Sequence, residues 1–347
     1  MHNFTNTYFQ KNTPMRLLFL AITIALLSFA CSSDKKEVVV YTSVDQVFSE
    51  PILKDFEAST GITIKAIYDT EETKSTGVLN RLIAEKENPQ CDLFWSGDPI
   101  RTIVLKNKNI TRAYESISAS DIDATFKDKD HQWTGFSARA RVLIYNKAML
   151  QDSLIPESIF DLTKEEYKGN FAIANPLFGT TTFHIAAIFS SLGDAKAIQF
   201  ITNLKNNNVV IATSNGDVKK RVISGEVACG LTDTDDAFEA IKEGANVGIV
   251  FLDQHNGFGS LIMPNTICLI KNSPNQTNAQ ILADYLLSKS TEAKLAISCA
   301  QMPLNKGVSV PNNIPSLDNI KAMNIDYDKT ALKLEEIQQL LKIWLEN

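Results

Sequence analysis

The segment Thr232-Asp233-Thr234-Asp235-Asp236 places three carboxylates and two hydroxyls in five consecutive residues. Acids stabilise the start of any helix, but one or two suffice for that. Adjacent carboxylates repel unless a cation, an ammonium or several hydroxyls sit between them. Thr234, Asp235 and Asp236 are therefore candidates for contact with a ligand. A second segment, Gly179-Thr180-Thr181-Thr182, opens a helical pattern directly after an apolar run and Pro176. The free N–H groups and positive dipole end of a helix start make an anion site. Thr180, Thr181 and Thr182 would add hydroxyl donors there; the alternative is plain capping by one threonine.

Three further places could do chemistry. Tyr41-Thr42-Ser43 and Trp95-Ser96-Gly97-Asp98 each end a β-branched or aromatic run, at the edge where open α/β sheets bind ligands. Ser43 either donates to a ligand or caps a turn. Trp95 either stacks on a ligand or fills core, and Ser96 lies beside it. Arg139 and Arg141 share one face of a strand by alternation, and Arg forks suit phosphate or carboxylate; an ion pair between lobes is the other possibility. His184 reads as packed or solvent-facing. No nucleophile elbow, P-loop, GxGxxG or HExxH occurs in the sequence, so no catalytic residue is assigned. An envelope hydrolase using Asp235 and Asp236 as an acid/base pair is the competing function.

The elements that must position these residues alternate. Val38–Tyr41 reads as a strand, Pro51–Ser59 as a helix closed by Gly61, and Ile62–Ile67 as a strand. Gly77–Glu87 is a helix and Cys91–Trp95 a strand, so the opening is β-α-β-α-β with crossovers suited to a parallel sheet. Strands follow at Arg141–Tyr145, Phe171–Ala174, Val209–Ile211, Cys229–Thr232, Val247–Leu252 and Pro264–Ile270. Helices follow at Thr180–Leu192, Ala195–Leu204, Asp217–Ser224, Ala237–Glu243, Gln280–Ser288, Glu292–Ser298 and Leu332–Trp344. Lys219 falls on the expected exposed face of its helix. The pattern is α/β in two lobes, with lobe 1 at 38–140 plus 256–305 and lobe 2 at 141–255 plus 306–347.

Leu17 to Ala30 is an uncharged apolar run after Met15-Arg16 and before Cys31-Ser32-Ser33-Asp34. It is short for a bilayer core, which takes about 20 residues, and has the parts of an export signal over 1–30. Met15 can serve as the start. Cys31 sits where a lipoprotein signal places its acylated cysteine, with 31–37 as the tether, although Ser28-Phe29 departs from the usual lipobox. Losing residues 1–30 removes Lys11, Arg16 and no acid, taking the net charge from −6 to −8. A nucleic-acid binder needs a basic surface, so that class is excluded. Cys91, Cys229, Cys268 and Cys299 lie in apolar contexts, as buried thiols do, and their spacing fits no zinc site. The 347-residue length exceeds one compact core and suits two.

The ordered set VVVYTSVDQVFSEPILKDFEASTGITIKAIY, CDLFWSGDP, FSARARVLIYN and SGEVACGLTDTDDAFEAI, spread over residues 38–305, resembles one family. It is similar to the solute-binding proteins of ABC importers, and within them to the ferric-iron-binding, transferrin-like branch. The resemblance implies a type II two-lobe fold that closes on a small ligand, an ABC permease as partner, a monomer and no cofactor, with Fe3+ possible as cargo. In iron-binding members a His and a Glu from one lobe and two adjacent Tyr from the other hold Fe3+. Here those positions fall on Val44-Asp45-Gln46, on Gly97 or Asp98, and on Asp235-Asp236. A phenolate site is therefore missing, and only Asp98, Asp235 and Asp236, with Asp45, could replace it. Other relatives take phosphorylated sugars or small phosphonates, and their anion-binding turn aligns with Gly179–Thr182.

Overall fold

The computed structural model describes residues 36–69, 76–255, 257–311 and 314–346. Cys31 and the export segment lie outside these. Residues 37–347 form one compact unit. Its first strands are β1 (Glu37–Thr42), β2 (Thr63–Tyr68), β3 (Leu93–Ser96), the short β4 (Thr111–Arg112) and β5 (Thr134–Asn146). They are followed by β6 (Phe171–Ala174), β7 (Val210–Ala212), β8 (Cys229–Asp233), β9 (Val247–Val250) and β10 (Ile262–Ile270). The main order is β2-β1-β3-β10-β5-β8-β6-β7, with β4 on β10 and β9 on β5. Pairs β1/β2, β1/β3, β6/β7 and β6/β8 are parallel; every pair made by β5 or β10 is antiparallel.

β5 carries the architecture. Its residues Thr134–Ala140 pair with β10, and Arg141–Tyr145 pair with β8. A single strand thus changes partners between Ala140 and Arg141. Side chains alternate along it. Ala138, Ala140, Val142 and Ile144 enter one core cluster, and Leu143 and Tyr145 the other. Arg139 and Arg141 share the second face, as alternation predicts.

The helices are α1 (Gln46–Thr60), α2 (Thr76–Ala84), α3 (Pro99–Asn107), α4 (Gly179–Leu192) and α5 (Asp194–Asn206). They continue with α6 (Asn215–Ser224), α7 (Thr234–Lys242), α8 (Gln276–Leu286), α9 (Lys289–Cys299) and α10 (Tyr327–Glu346). Gly61 closes α1 at φ 67°, a left-handed position that glycine enters without penalty. α10 packs against both α3 and α4.

Three expectations are corrected. α1 starts at Gln46, so Pro51 lies inside it rather than at its start. α3 was not among the expected helices; the structure uses Asp98 as its cap and Pro99 as its first residue. β5 begins at Thr134, seven residues before Arg141, and its first half is buried on both faces. The four thiols at Cys91, Cys229, Cys268 and Cys299 are buried and unbridged, and burial pushes that of Cys229 up to about 12. No described helix is long and apolar enough to cross a membrane.

Candidate functional site

Strand ends and helix starts converge beside β5. On one side, β1 delivers Ser43 and β3 delivers Gly97. The Gly97 N–H donates to Ser43 Oγ at 3.0 Å. The Arg139 guanidinium donates to the Gly97 carbonyl. A Cβ on Gly97 would stand 3.1 Å from Arg139 Nη2, so a side chain there would press on the guanidinium. Asp98 is spent on structure: it accepts from Ile100 N at 2.9 Å and Arg101 N at 3.2 Å, and pairs with the Arg101 guanidinium at 3.2 Å.

On the other side, Asp233 at the end of β8 binds both arginines. Its Oδ1 accepts from Arg141 Nη1 at 2.7 Å and its Oδ2 from Arg139 Nη1 at 3.3 Å. Arg139 Nη1 also reaches Asp235 Oδ2 at 3.4 Å. Thr180 Oγ1 donates to Asp233 and accepts from Asn215 Nδ2 at 2.9 Å. Arg141 donates to Asn215 Oδ1 at 3.0 Å and to the Leu231 carbonyl at 3.2 Å. Burial works against the charge on Arg139, but Asp235 and Asp233 outweigh it and hold the guanidinium above its ordinary value. His184, one turn into α4, is the opposite case. Burial, then the positive charge of Arg141, lowers its pKa to about 3, so it is neutral at working pH.

A cavity of about 800 Å³ opens against this frame. Hydroxyls and an amide reach it from Ser43, Thr180, Thr181, Thr213, Ser214 and Asn215. Its carboxylates include Asp45, Asp69, Asp233, Asp236 and Glu239; its cations are Arg139, Lys219 and Lys220. Among the described residues no Tyr, His or Cys lines it. The starts of α4 and α6 both face it. Phe178 holds the cap position of α4 and offers no side-chain acceptor. Thr180–Thr182 lie inside the first turn, so capping does not account for them.

Of the residues singled out from sequence, Ser43, Asp45, Arg139, Thr180, Thr181 and Asp236 line the cavity, with Gly97, Gly179 and Asp233 from the same segments. Trp95, Ser96, Asp98, Thr182, Thr234 and Asp235 do not. Trp95 is fully buried against Phe136, with ring centroids 5.6 Å apart, and fills core. Ser96 Oγ accepts from Asp98 N at 3.3 Å. Thr182 is fully buried within α4. Thr234 Oγ1 accepts from Ala140 N at 3.2 Å, tying α7 to β5. Asp235 turns to Arg139. Asp98, Asp235 and Asp236 do not converge, and no group of three or more His, Cys, Asp or Glu is placed to hold a metal among the described residues. Lys219 is not exposed: its side chain is 12% accessible and lines the cavity. Sequence reasoning missed Asp69, Asn215, Lys219 and Glu239 as lining residues. The run Ser214-Asn215-Gly216-Asp217 after a strand was the available signal for Asn215.

A family model for bacterial extracellular solute-binding proteins matches residues 52–322. The chain belongs to that family. The Fe(3+)-binding periplasmic protein of Serratia marcescens is 22% identical, over 90% of this chain and 92% of that protein. A putative 2-aminoethylphosphonate-binding periplasmic protein of Salmonella typhimurium is 23% identical, over 92% of this chain and 96% of that protein. Among solved structures, iron-bound HitA from Pseudomonas aeruginosa superposes with a TM-score of 0.80 at 20% identity, covering 88% of this chain and 99% of that one. AfuA from Actinobacillus pleuropneumoniae, with fructose-6-phosphate bound, gives 0.77 at 22% identity, covering 89% and 98%. The fold is the two-lobe fold of periplasmic binding proteins. The family is one of solute-binding proteins rather than enzymes, which removes the hydrolase alternative.

The buried His184 makes a pH prediction. Its folded pKa lies below the unfolded value of 6.5, so the unfolded state binds more protons between pH 6.5 and about 3. Stability from this group is present above pH 6.5 and is lost on acidification, by about 1.4 kcal/mol per pH unit. Urea unfolding of the wild type and His184→Gln should show their difference shifting by roughly 2–3 kcal/mol toward the variant between pH 6.5 and 4.5. A constant difference would contradict a buried neutral imidazole.

Proposed function

We propose that this chain is the ligand-capturing receptor of an ABC import system, which closes on a small phosphorylated or phosphonate anion and delivers it to a membrane permease. The observation that carries this reading is the start of α4. Its first-turn residues Gly179, Thr180 and Thr181 face a polar cavity with no acceptor at the cap position, opposite Asn215 and the Ser214 turn. Helix-start N–H groups and hydroxyls suit phosphate oxygens. Ser43 and Arg139 supply the facing wall. The phosphonate-binding and fructose-6-phosphate-bound relatives support that ligand class.

The iron-binding relatives offer ferric iron as the other cargo. The described lining contains no phenolate or imidazole, so bare Fe3+ has no site of the familiar kind here, and iron binds only with a carboxylate or phosphate co-ligand. Lobe 1 is taken as 38–140 plus 256–305 and lobe 2 as 141–255 plus 306–347. The change of partner strand between Ala140 and Arg141 supports that division.

We also propose that export ends with acylation of Cys31, supported by the apolar run that closes on Ala30-Cys31. Cells given labelled palmitate should label the wild type and leave Cys31→Ala unlabelled; equal labelling refutes the anchor.

For the ligand, a thermal-shift panel of organophosphates and phosphonates should raise the melting temperature of the mature chain, since binding favours the native state. Calorimetric titration of the best hit should show Thr181→Val and Asn215→Ala weakened by about 10- to 100-fold, the loss of one or two hydrogen bonds to a charged group. Unchanged affinity in both variants, or no stabilisation by any member of the panel, would move the anion elsewhere.

A further inference from the structure

Lys219 stands one turn into α6, on the wall of the cavity, with its side chain only 12% accessible. Its ammonium contacts Glu239 and lies 3.9 Å from Asp236 Oδ1. Those two acids sit three residues apart on α7, on the same face of the helix. Two carboxylates so placed repel unless a cation lies between them. Here the cation is part of the chain. Burial opposes its charge, yet Glu239 and Asp236 outweigh that and hold the ammonium charged. Asp236 also accepts from Thr232 Oγ1 at 3.1 Å. It is therefore paired with protein groups while still lining the cavity.

We propose that Lys219 is the charge selector of the cavity: a tethered cation that neutralises Asp236 and Glu239, excludes free metal cations from that wall and leaves the cavity to an anion. An ammonium has three donors, so an incoming anion can share it with the two acids. Without Lys219, Asp236 and Glu239 lose the ammonium they share, on a wall of the cavity that also carries Asp45, which disfavours anions and favours hard cations. Specificity of this kind is set as much by what is rejected as by what is bound.

The inference rests on the anion reading for its anion arm only; its cation arm stands alone. Terbium(III), a hard oxygen-seeking trivalent cation, is titrated calorimetrically in phosphate-free buffer into wild type, Lys219→Met and the double variant Lys219→Met/Asp236→Asn. Lys219→Met should bind terbium at least tenfold more tightly than wild type, and the double variant should lose that gain. Circular dichroism melts check folding, and Lys219→Gln serves if Lys219→Met does not fold. Equal terbium affinity in wild type and both Lys219 variants would overturn the proposal, as would a gain that survives Asp236→Asn. In parallel, glycerol 3-phosphate affinity should fall at least tenfold in Lys219→Met. If glycerol 3-phosphate and the wider panel fail to bind even the wild type, the anion reading fails, while the terbium comparison still decides the role of Lys219.

Discussion

The structure depends on one buried carboxylate shared by two arginines. Asp233, at the end of β8, accepts from Arg139 and Arg141, which leave the same face of β5 on either side of the point where that strand changes partners. Stranding a buried charge costs about 3–5 kcal/mol, so none of the three can be absent without loss to the others. Through Arg139 the network reaches the Gly97 carbonyl on the β3 side, and through Thr180 and Asn215 it reaches the first turns of α4 and α6. The groups that face the cavity are therefore placed by ion pairs made within the protein before any ligand arrives. Preorganised donors cost little further ordering when a ligand binds.

That economy shapes what the cavity can hold. Acids are plentiful around it, yet the strongest of its charges are already matched: Asp233 by two guanidiniums, Asp236 and Glu239 by Lys219. What else lines the cavity is a set of hydroxyls, amides and helix-start N–H groups, together with Lys220 and the acids Asp45 and Asp69. In the proposed reading such a surface takes an oxygen-rich anion by donors rather than by bulk charge, in keeping with a chain whose net charge is −6.

Much of this was legible in the sequence where local rules decide. Gly61 announced the end of α1, and the β-α alternation from Val38 to Trp95 reproduces the first sheet. The strand-to-helix turns at Thr180 and Asp233 were singled out from residue type and the family resemblance, and both border the cavity. Failures came where partners are distant in sequence. β3 is buried at all four positions, so no pattern told which way Trp95 points, and it points into core. Asp98-Pro99 is a cap followed by a first-turn proline, which reads as a break unless the helix is known to follow. Lys219 looked exposed on α6 taken alone; α7, fifteen residues further on, covers that face. Asp235 looked like its neighbour Asp236, but the fold turns one toward Arg139 and the other toward Lys219.

The central claim is that this cavity holds an organic anion and not bare ferric iron. It is tested most directly by dialysing the mature chain against an equimolar mixture of ferric nitrilotriacetate and a hexose phosphate, then measuring the iron, phosphorus and nitrilotriacetate retained by the protein. The account predicts phosphorus stoichiometric with the chain, and any retained iron only together with bound phosphate or nitrilotriacetate. Stoichiometric iron with neither co-ligand retained would contradict it.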